Sequence, residues 1–140
     1  MLAFTDTAVT KIQLVESLER HAAVDAFIKG QYWSDGKGCA VGCSLHDFHA
    51  EPGDHAAYEP LFGIPQVLAR LEDGIFEGLP IDAAKEWPLR FARAVRPGAD
   101  LTSVWPKFAV WLLVDPEHGV IRYAKTDATR KAIQDVADGY

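Results

Sequence analysis

The residues best suited to chemistry lie in one short stretch of the chain, at positions 36–59. Residues 36–49 read GKGCAVGCSLHDFH and contain three glycines, one lysine, two cysteines and two histidines, with a further histidine at position 55. Thiols and imidazoles act as nucleophiles, as bases and as metal ligands. A functional hypothesis for this chain therefore depends on which of these side chains meet in space.

The first hypothesis is a thiol-dependent enzyme, for acyl transfer or redox chemistry, in which Cys39 is the nucleophile. A cysteine at the start of a helix has its thiolate stabilised by free backbone amides and by the helix dipole. His46 or His55 would act as the base, and Asp47 or Asp54 would orient it. The predicted catalytic residues are therefore the thiol and these two histidines.

The second hypothesis is a metal site. Cys39, Cys43 and His46 share one face of a helix, but the first and last lie ~10.5 Å apart along its axis, too far for one zinc ion to bind both. Cys43 with His46, or Cys39 with Cys43, could each supply a pair of ligands, and the others would come from His49, His55 or Asp54. The predicted set is Cys43, His46 and His55, with zinc as the candidate ion. No other cofactor is predicted.

The third hypothesis is an anion site at Lys37 and Gly38, where backbone amides and an ammonium group precede a helix. The pattern is not a Walker A loop, because the lysine stands between two glycines and no serine or threonine follows it. A dinucleotide fingerprint is also excluded, because no strand is predicted before the glycines. The anion hypothesis thus rests on the lysine and the amides alone.

A structural interpretation competes with all three hypotheses. The glycines would then form a tight turn that packs a short helix against the core, and the cysteines would be small buried apolar residues. The acidic residues Glu72, Asp73 and Glu77 are interpreted in the same way, as the solvent-facing side of a helix. Under this interpretation the protein is a small cytoplasmic binding or interaction protein.

The elements that must position these residues are helical. Apolar residues recur at three- and four-residue steps over residues 8–28, which predicts an amphipathic helix there. A short helix is predicted over 39–46, and a further helix is predicted to begin at an Asp54 cap and to end at Gly63. The most apolar helix is predicted over 101–114, and we expect it to be buried at the centre of the fold.

The fold class follows from this periodicity. No segment shows the sustained alternation of apolar and polar residues that predicts a strand, and no hairpin turn has strand-forming flanks. We therefore predict an all-α protein, with residues 1–140 forming a single compact domain of six or seven helices.

Composition excludes several classes of protein. The 140 residues are 49% hydrophobic and 24% charged, as in ordinary globular proteins. The longest apolar run, residues 108–114, is far shorter than the ~20 residues that cross a bilayer. The net charge of -6 disfavours binding to nucleic acid. The sequence is compatible with a homo-oligomer.

The start of the chain contains no secretory signal pattern, so a cytoplasmic location with reduced thiols is predicted. The spacing of Cys39 and Cys43 matches neither a thioredoxin-like redox motif nor half of a zinc ribbon. The thiols are therefore expected to be free.

The chain resembles a small group of uncharacterised bacterial and phage proteins that share a GKGCAVGC segment. The resemblance is carried by residues 36–43, 62–65, 71–77, 84–88 and 104–106, and so covers most of the chain. It implies a bacterial or phage setting and an intracellular location. It transfers no catalytic residue, substrate or cofactor.

Overall fold

The protein is all-α, as predicted. The computed structural model describes all 140 residues and contains seven α-helices, two 3-10 turns and no strand. The helices are α1 (Lys11–Ala23), α2 (Ala40–His46), α3 (Tyr58–Phe62), α4 (Gln66–Gly78), α5 (Ile81–Ala94), α6 (Val104–Val114) and α7 (Asp127–Asp138), and the 3-10 turns are His55–Ala57 and Val120–Tyr123.

The chain forms two compact units, Met1–Leu101 and Thr102–Tyr140. In the first unit, α1 packs against α5 and α2, and α4 packs against α5 and α2. Large side chains from the helices and from the loops between them close its core, and the largest fully buried apolar ones include Leu14, Leu18, Phe27, Val41, Leu45, Tyr58, Phe62, Ile64, Phe76 and Pro88. In the second unit, α6 packs against α7 and the 3-10 turn that precedes it.

The first helix is shorter than residues 8–28. It begins after Thr10, whose side chain accepts a hydrogen bond from the Gln13 amide while Gln13 bonds back to the Thr10 amide, forming a capping box. It ends at Ala23, because Asp25 adopts a positive φ of 53° and turns the chain. Ala26, the last apolar position of the pattern, is buried outside the helix, and so is the adjacent Phe27.

The two short predicted helices are present. The helix within 39–46 begins with Cys39 as its N-cap, and Asp54 caps the 3-10 turn that leads into α3. Gly63 ends α3 with a φ of +67°, and a Cβ at this position would lie 2.4 Å from the Leu2 carbonyl oxygen. Glycine is therefore required there by both conformation and space.

The expected burial of a helix over 101–114 is wrong. The helix begins at Val104, only Ala109 is buried, and Trp111 and Leu112 expose 43% and 41% of their surface. Within its 39-residue unit, α6 has only α7 and one 3-10 turn to pack against, so its all-round apolar character exceeds what these neighbours cover. None of the helices combines the length and the apolar character needed to cross a bilayer.

Candidate functional site

Three side chains with metal-ligating atoms converge in the first unit. The Cys39 thiol and the carboxylates of Asp73 and Glu77 each place one ligand atom within 4.8 Å of the other two. They line one side of a cavity of about 220 Å³, and the loop residues Gly30, Gln31 and Tyr32 line the rest. This cavity is the candidate functional site.

Helix α4 brings the two carboxylates to the cavity. Asp73 and Glu77 are four residues apart, so they lie on the same face of the helix one turn apart. Glu72 lies on the neighbouring, inner face and is only 1% exposed. The interpretation of Glu72, Asp73 and Glu77 as a solvent-facing run is therefore wrong for Glu72, which is buried, and for Asp73, whose side chain is 18% exposed.

The position of Cys39 is set by the start of α2. Its amide donates to the Gln31 carbonyl, and its sulfur accepts a hydrogen bond from the Gly42 amide at 3.5 Å. Burial, with a smaller contribution from the nearby Asp73 charge, raises the pKa of the Cys39 thiol to about 12, against the lowering effect of the Gly42 hydrogen bond. The thiol is therefore protonated at neutral pH in the metal-free protein.

Cys43 lies one turn along α2 but outside the cavity. Its sulfur faces backbone carbonyls, with Gly38 oxygen at 3.5 Å, and it is fully buried. Burial, followed by the proximity of Cys39, raises the pKa of the Cys43 thiol to about 12. This residue matches the structural interpretation of a small buried apolar side chain.

His55 contacts Asp73. The His55 ring is 8% exposed, and its Nε2 lies 3.0 Å from Asp73 Oδ2. The Tyr32 ring packs edge-on against the His55 ring, and burial together with the Asp73 charge raises the pKa of the Tyr32 hydroxyl. The His55 ring thus hydrogen-bonds the Asp73 carboxylate, and Asp73 links His55 to Cys39.

The negative charge of the cavity has no lysine or arginine partner. The Gly30 amide donates to both Glu77 carboxylate oxygens, at 3.1 and 3.2 Å. The nearby Lys29 ammonium donates to the Leu79 carbonyl instead. None of the ion pairs in the structure joins Asp73 or Glu77 to a lysine or arginine. The exposed Arg70 acts on the cavity only at longer range, through the charge that it places near Tyr32.

Three glycines hold Tyr32 at the cavity. A Cβ at Gly38 would lie 2.0 Å from the Tyr32 carbonyl oxygen, and a Cβ at Gly42 would lie 1.5 Å from the same atom. A Cβ at Gly53 would lie 3.0 Å from the Tyr32 ring. The glycines of the cysteine segment therefore serve a close backbone approach that places Tyr32 against Cys39 and Asp73.

A second buried polar pair lies behind the cavity. The Tyr58 hydroxyl donates a 2.7 Å hydrogen bond to Glu72 Oε2, and both side chains are buried. Burial raises the pKa of Glu72 to about 8, and the neighbouring Asp73 charge adds to this effect. Glu72 does not line the cavity.

His46 belongs to a different cluster. It is exposed and stacks on Trp33, with ring centroids 3.8 Å apart. The Trp33 ring also meets the buried His21 edge-on. His21 Nε2 lies 3.4 Å from Asp47 Oδ1, close enough for an ion pair if the ring is protonated, but this buried nitrogen makes no hydrogen bond.

The amides of the predicted anion site are already bonded within the protein. Gly38 donates to the Ala26 carbonyl, and the Ser34 and Lys37 backbones bond reciprocally across a tight turn. That turn contains Asp35 and Gly36, both with positive φ. Lys37 is exposed, so only its side chain is free to meet an anion.

The structure brings together a different set of residues from those predicted. Cys39 reaches the cavity directly and His55 reaches it through Asp73, whereas Cys43 and His46 do not line it. Cys43, His46 and His55 share no common ligand position, because the one group of three converging ligands is Cys39, Asp73 and Glu77.

The sequence analysis missed Asp73, Glu77 and Tyr32. One signal for the acidic residues was present: Glu72 lies four residues from both Leu68 and Phe76, in the middle of the apolar stripe of α4. Asp73 and Glu77 each follow a buried residue of this stripe, Glu72 and Phe76, and so lie at its edge on the helix. Tyr32 had no such signal, because its contacts depend on the packing of the glycines.

Comparison with protein-family models, with curated proteins and with solved structures found no match to this chain.

Proposed function

We propose that this protein is a small binding protein whose cavity holds a thiophilic divalent metal ion, with zinc as the preferred ion. Cys39, Asp73 and Glu77 would be the protein ligands. The observation that carries the proposal is the convergence of one sulfur and two carboxylate oxygens within 4.8 Å of one another at a cavity without a lysine or arginine partner.

The donor set favours zinc over hard cations. Zinc binds thiolate, imidazole and carboxylate ligands, whereas Mg²⁺ and Ca²⁺ prefer oxygen ligands alone. Ligand atoms of one tetrahedral zinc are separated by roughly 3.5 Å, given its bond lengths. The observed cluster would therefore close on an ion through side-chain movements of about 1 Å.

The surrounding contacts support the same role. Carboxylate ligands in metal sites are themselves held by hydrogen bonds, and here His55 holds Asp73 while the Gly30 amide holds Glu77. Binding would displace the Cys39 proton into solvent, since the ligand is the thiolate. Affinity for the ion should therefore rise with pH.

The test is a titration of metal-free protein with Zn²⁺ and Co²⁺. We expect one ion per chain, an increase in thermal stability, and a sulfur-to-cobalt charge-transfer band in the Co²⁺ protein. Cys39→Ser should abolish the band, and Asp73→Asn or Glu77→Gln should weaken binding by at least about tenfold.

Two variants provide matched controls. Cys43→Ser removes the other buried thiol, and Glu51→Gln neutralises an exposed carboxylate outside the cavity. Both should bind Co²⁺ as the wild type does. A charge-transfer band that survives Cys39→Ser, or no response to either ion, would refute the proposed site.

A thiol-dependent enzyme has less support. A nucleophilic cysteine must ionise near neutral pH, whereas burial and the Asp73 charge raise the pKa of Cys39 to about 12. His55 bonds to Asp73, so it is not placed to deprotonate the thiol directly. Acyl transfer or redox catalysis at Cys39 would require a lower thiol pKa and a His55 ring released from Asp73.

For localisation we propose the bacterial cytoplasm. Both cysteines are free, and a reducing compartment keeps thiols in that state. A thiolate-ligated metal site is compatible with the same compartment.

A further inference from the structure

The number of protein ligands at the cavity decides whether a bound metal ion can also bind a ligand from outside the protein. Structural zinc sites are closed by four protein ligands, whereas sites that exchange ligands keep three protein ligands and an open position. The cavity offers three converging donors, and no fourth cysteine, histidine or carboxylate joins them. A metal ion held by these residues would lack one ligand.

The remaining wall of the cavity leaves room for that ligand. The loop of Gly30, Gln31 and Tyr32 completes the lining of this cavity of about 220 Å³. The Gly30 amide is bonded to Glu77, and the Gln31 amide group donates to the Ser34 and Lys37 carbonyls. The cysteine, histidine and carboxylate ligands that line the cavity are therefore the three donors alone.

The charge of the site selects the kind of ligand. One thiolate and two carboxylates carry three negative charges, so with a divalent ion the assembly carries a net charge of -1. A further anion would be repelled at short distance, and this repulsion is stronger in a partly enclosed cavity than in water. A neutral donor meets no such cost.

We propose that the metal site keeps one coordination position open toward the Gly30–Tyr32 wall and that this position takes a neutral nitrogen donor, such as an imidazole or an amine, in preference to an anion. This inference rests on the proposed metal site. The carboxylates of Asp73 and Glu77 supply the discrimination, because together with the Cys39 thiolate they make the loaded site anionic.

The test uses Co²⁺-loaded protein, with imidazole and azide as probes. We expect imidazole to change the visible absorption of the bound Co²⁺ while the ion stays with the protein through gel filtration. Azide should bind at least about tenfold more weakly than imidazole. In Glu77→Gln, loaded at higher Co²⁺, the preference for imidazole should narrow by about fivefold or more, because one negative charge is gone.

The outcomes separate this inference from the proposed function. If the wild type shows no Cys39-dependent cobalt band, the metal site itself fails and the inference falls with it. If the band is present but imidazole leaves the spectrum unchanged, the metal site stands and the open position is refuted. If Glu77→Gln keeps the wild-type preference, the charge-based selection is refuted. Glu51→Gln, outside the cavity, should keep it.

Discussion

Cys39 and Cys43 are one helical turn apart and equally buried, yet their sulfurs face different surroundings. Cys39 faces two carboxylates in a cavity, and Cys43 faces backbone carbonyls in the core. In both cases burial is the main cause of the raised thiol pKa. We therefore expect both thiols to react slowly, and only Cys39 to bind a metal ion.

We predict that neither thiol is alkylated at an appreciable rate at neutral pH in the folded, metal-free protein. A pKa of about 12 in place of the ordinary 9.0 lowers the thiolate fraction by about 1,000-fold. The measurement is iodoacetamide labelling against pH, followed by mass spectrometry, with denatured protein as the fully reactive reference. Rapid labelling of Cys39 at pH 7 would contradict the burial argument and restore the thiol-enzyme hypothesis.

Sequence reasoning found Cys39 and His55 but not the partners that join them. Residue type and spacing identify side chains capable of chemistry within a segment, which is why the cysteine and histidine segment was recognised. Asp73 contacts His55 across eighteen positions of the chain, and that contact depends on how α4 packs. Separation in sequence, not residue type, is what concealed the site.

The two helices that form the site contain glycines with opposite roles. Gly42 in α2 is pressed against the Tyr32 carbonyl, whereas a Cβ at Gly74 in α4 would meet nothing within 4 Å. Helix propensity alone favours alanine over glycine at both positions. The difference between them isolates the effect of the close contact.

We predict that Gly42→Ala destabilises the protein by at least about 1–3 kcal/mol. The added methyl group would overlap the Tyr32 carbonyl oxygen, so either the loop or α2 would have to move. Gly74→Ala should instead stabilise the protein by about 0.5–1 kcal/mol. Denaturant unfolding of the metal-free variants measures both. Equal stabilisation by the two substitutions would mean that Tyr32 is not seated on α2.

Helix existence was easier to predict than helix limits. The periodic pattern of α1 continued to residue 28, but the helix ends at Ala23, and Ala26 and Phe27 are buried in the irregular segment that follows it. Buried apolar residues in an irregular segment can therefore extend the apparent helical spacing of the helix before it. The capping residues Thr10 and Asp54 mark the starts more reliably, since a side-chain bond to a backbone amide is a local event.

His21 links local electrostatics to the stability of the complete fold. It lies in the last turn of α1, and the groups that face it are Asp47, His46 and Arg20. Burial lowers the pKa of His21 below its ordinary value of 6.5, and this effect outweighs the attraction to Asp47. The folded state therefore favours the neutral imidazole.

We predict that His21 costs stability in acid. Its neutral form is preferred in the fold, so its contribution is fully present above pH 6.5 and is lost as the pH falls from 6.5 toward the lowered pKa. Relative to His21→Gln, the wild-type free energy of unfolding should decline over this window, by at most about 1.4 kcal/mol per pH unit. Parallel pH profiles for the two proteins would refute this, and His49→Asn, at an exposed histidine, is the matched control.

The fold class was predictable because helical periodicity extends through almost the full chain, whereas the burial of α6 was not. A helix that is apolar on all sides predicts burial only if enough surrounding elements exist to cover it. Sequence periodicity does not show that α6, within its own unit, has only one helix and one 3-10 turn to pack against. The position of an element among its neighbours is a tertiary property that its own sequence does not contain.

The seating of Tyr32 has a consequence for how related chains could diverge. Gly38 and Gly42 are opposed by the Tyr32 carbonyl, a group that every residue type at position 32 would carry, whereas Gly53 is opposed by the aromatic ring. Replacing the tyrosine by a small residue would thus release position 53 from its constraint but leave positions 38 and 42 bound to glycine. Over evolutionary time we expect positions 32 and 53 to covary, and positions 38 and 42 to stay invariant whatever residue occupies 32.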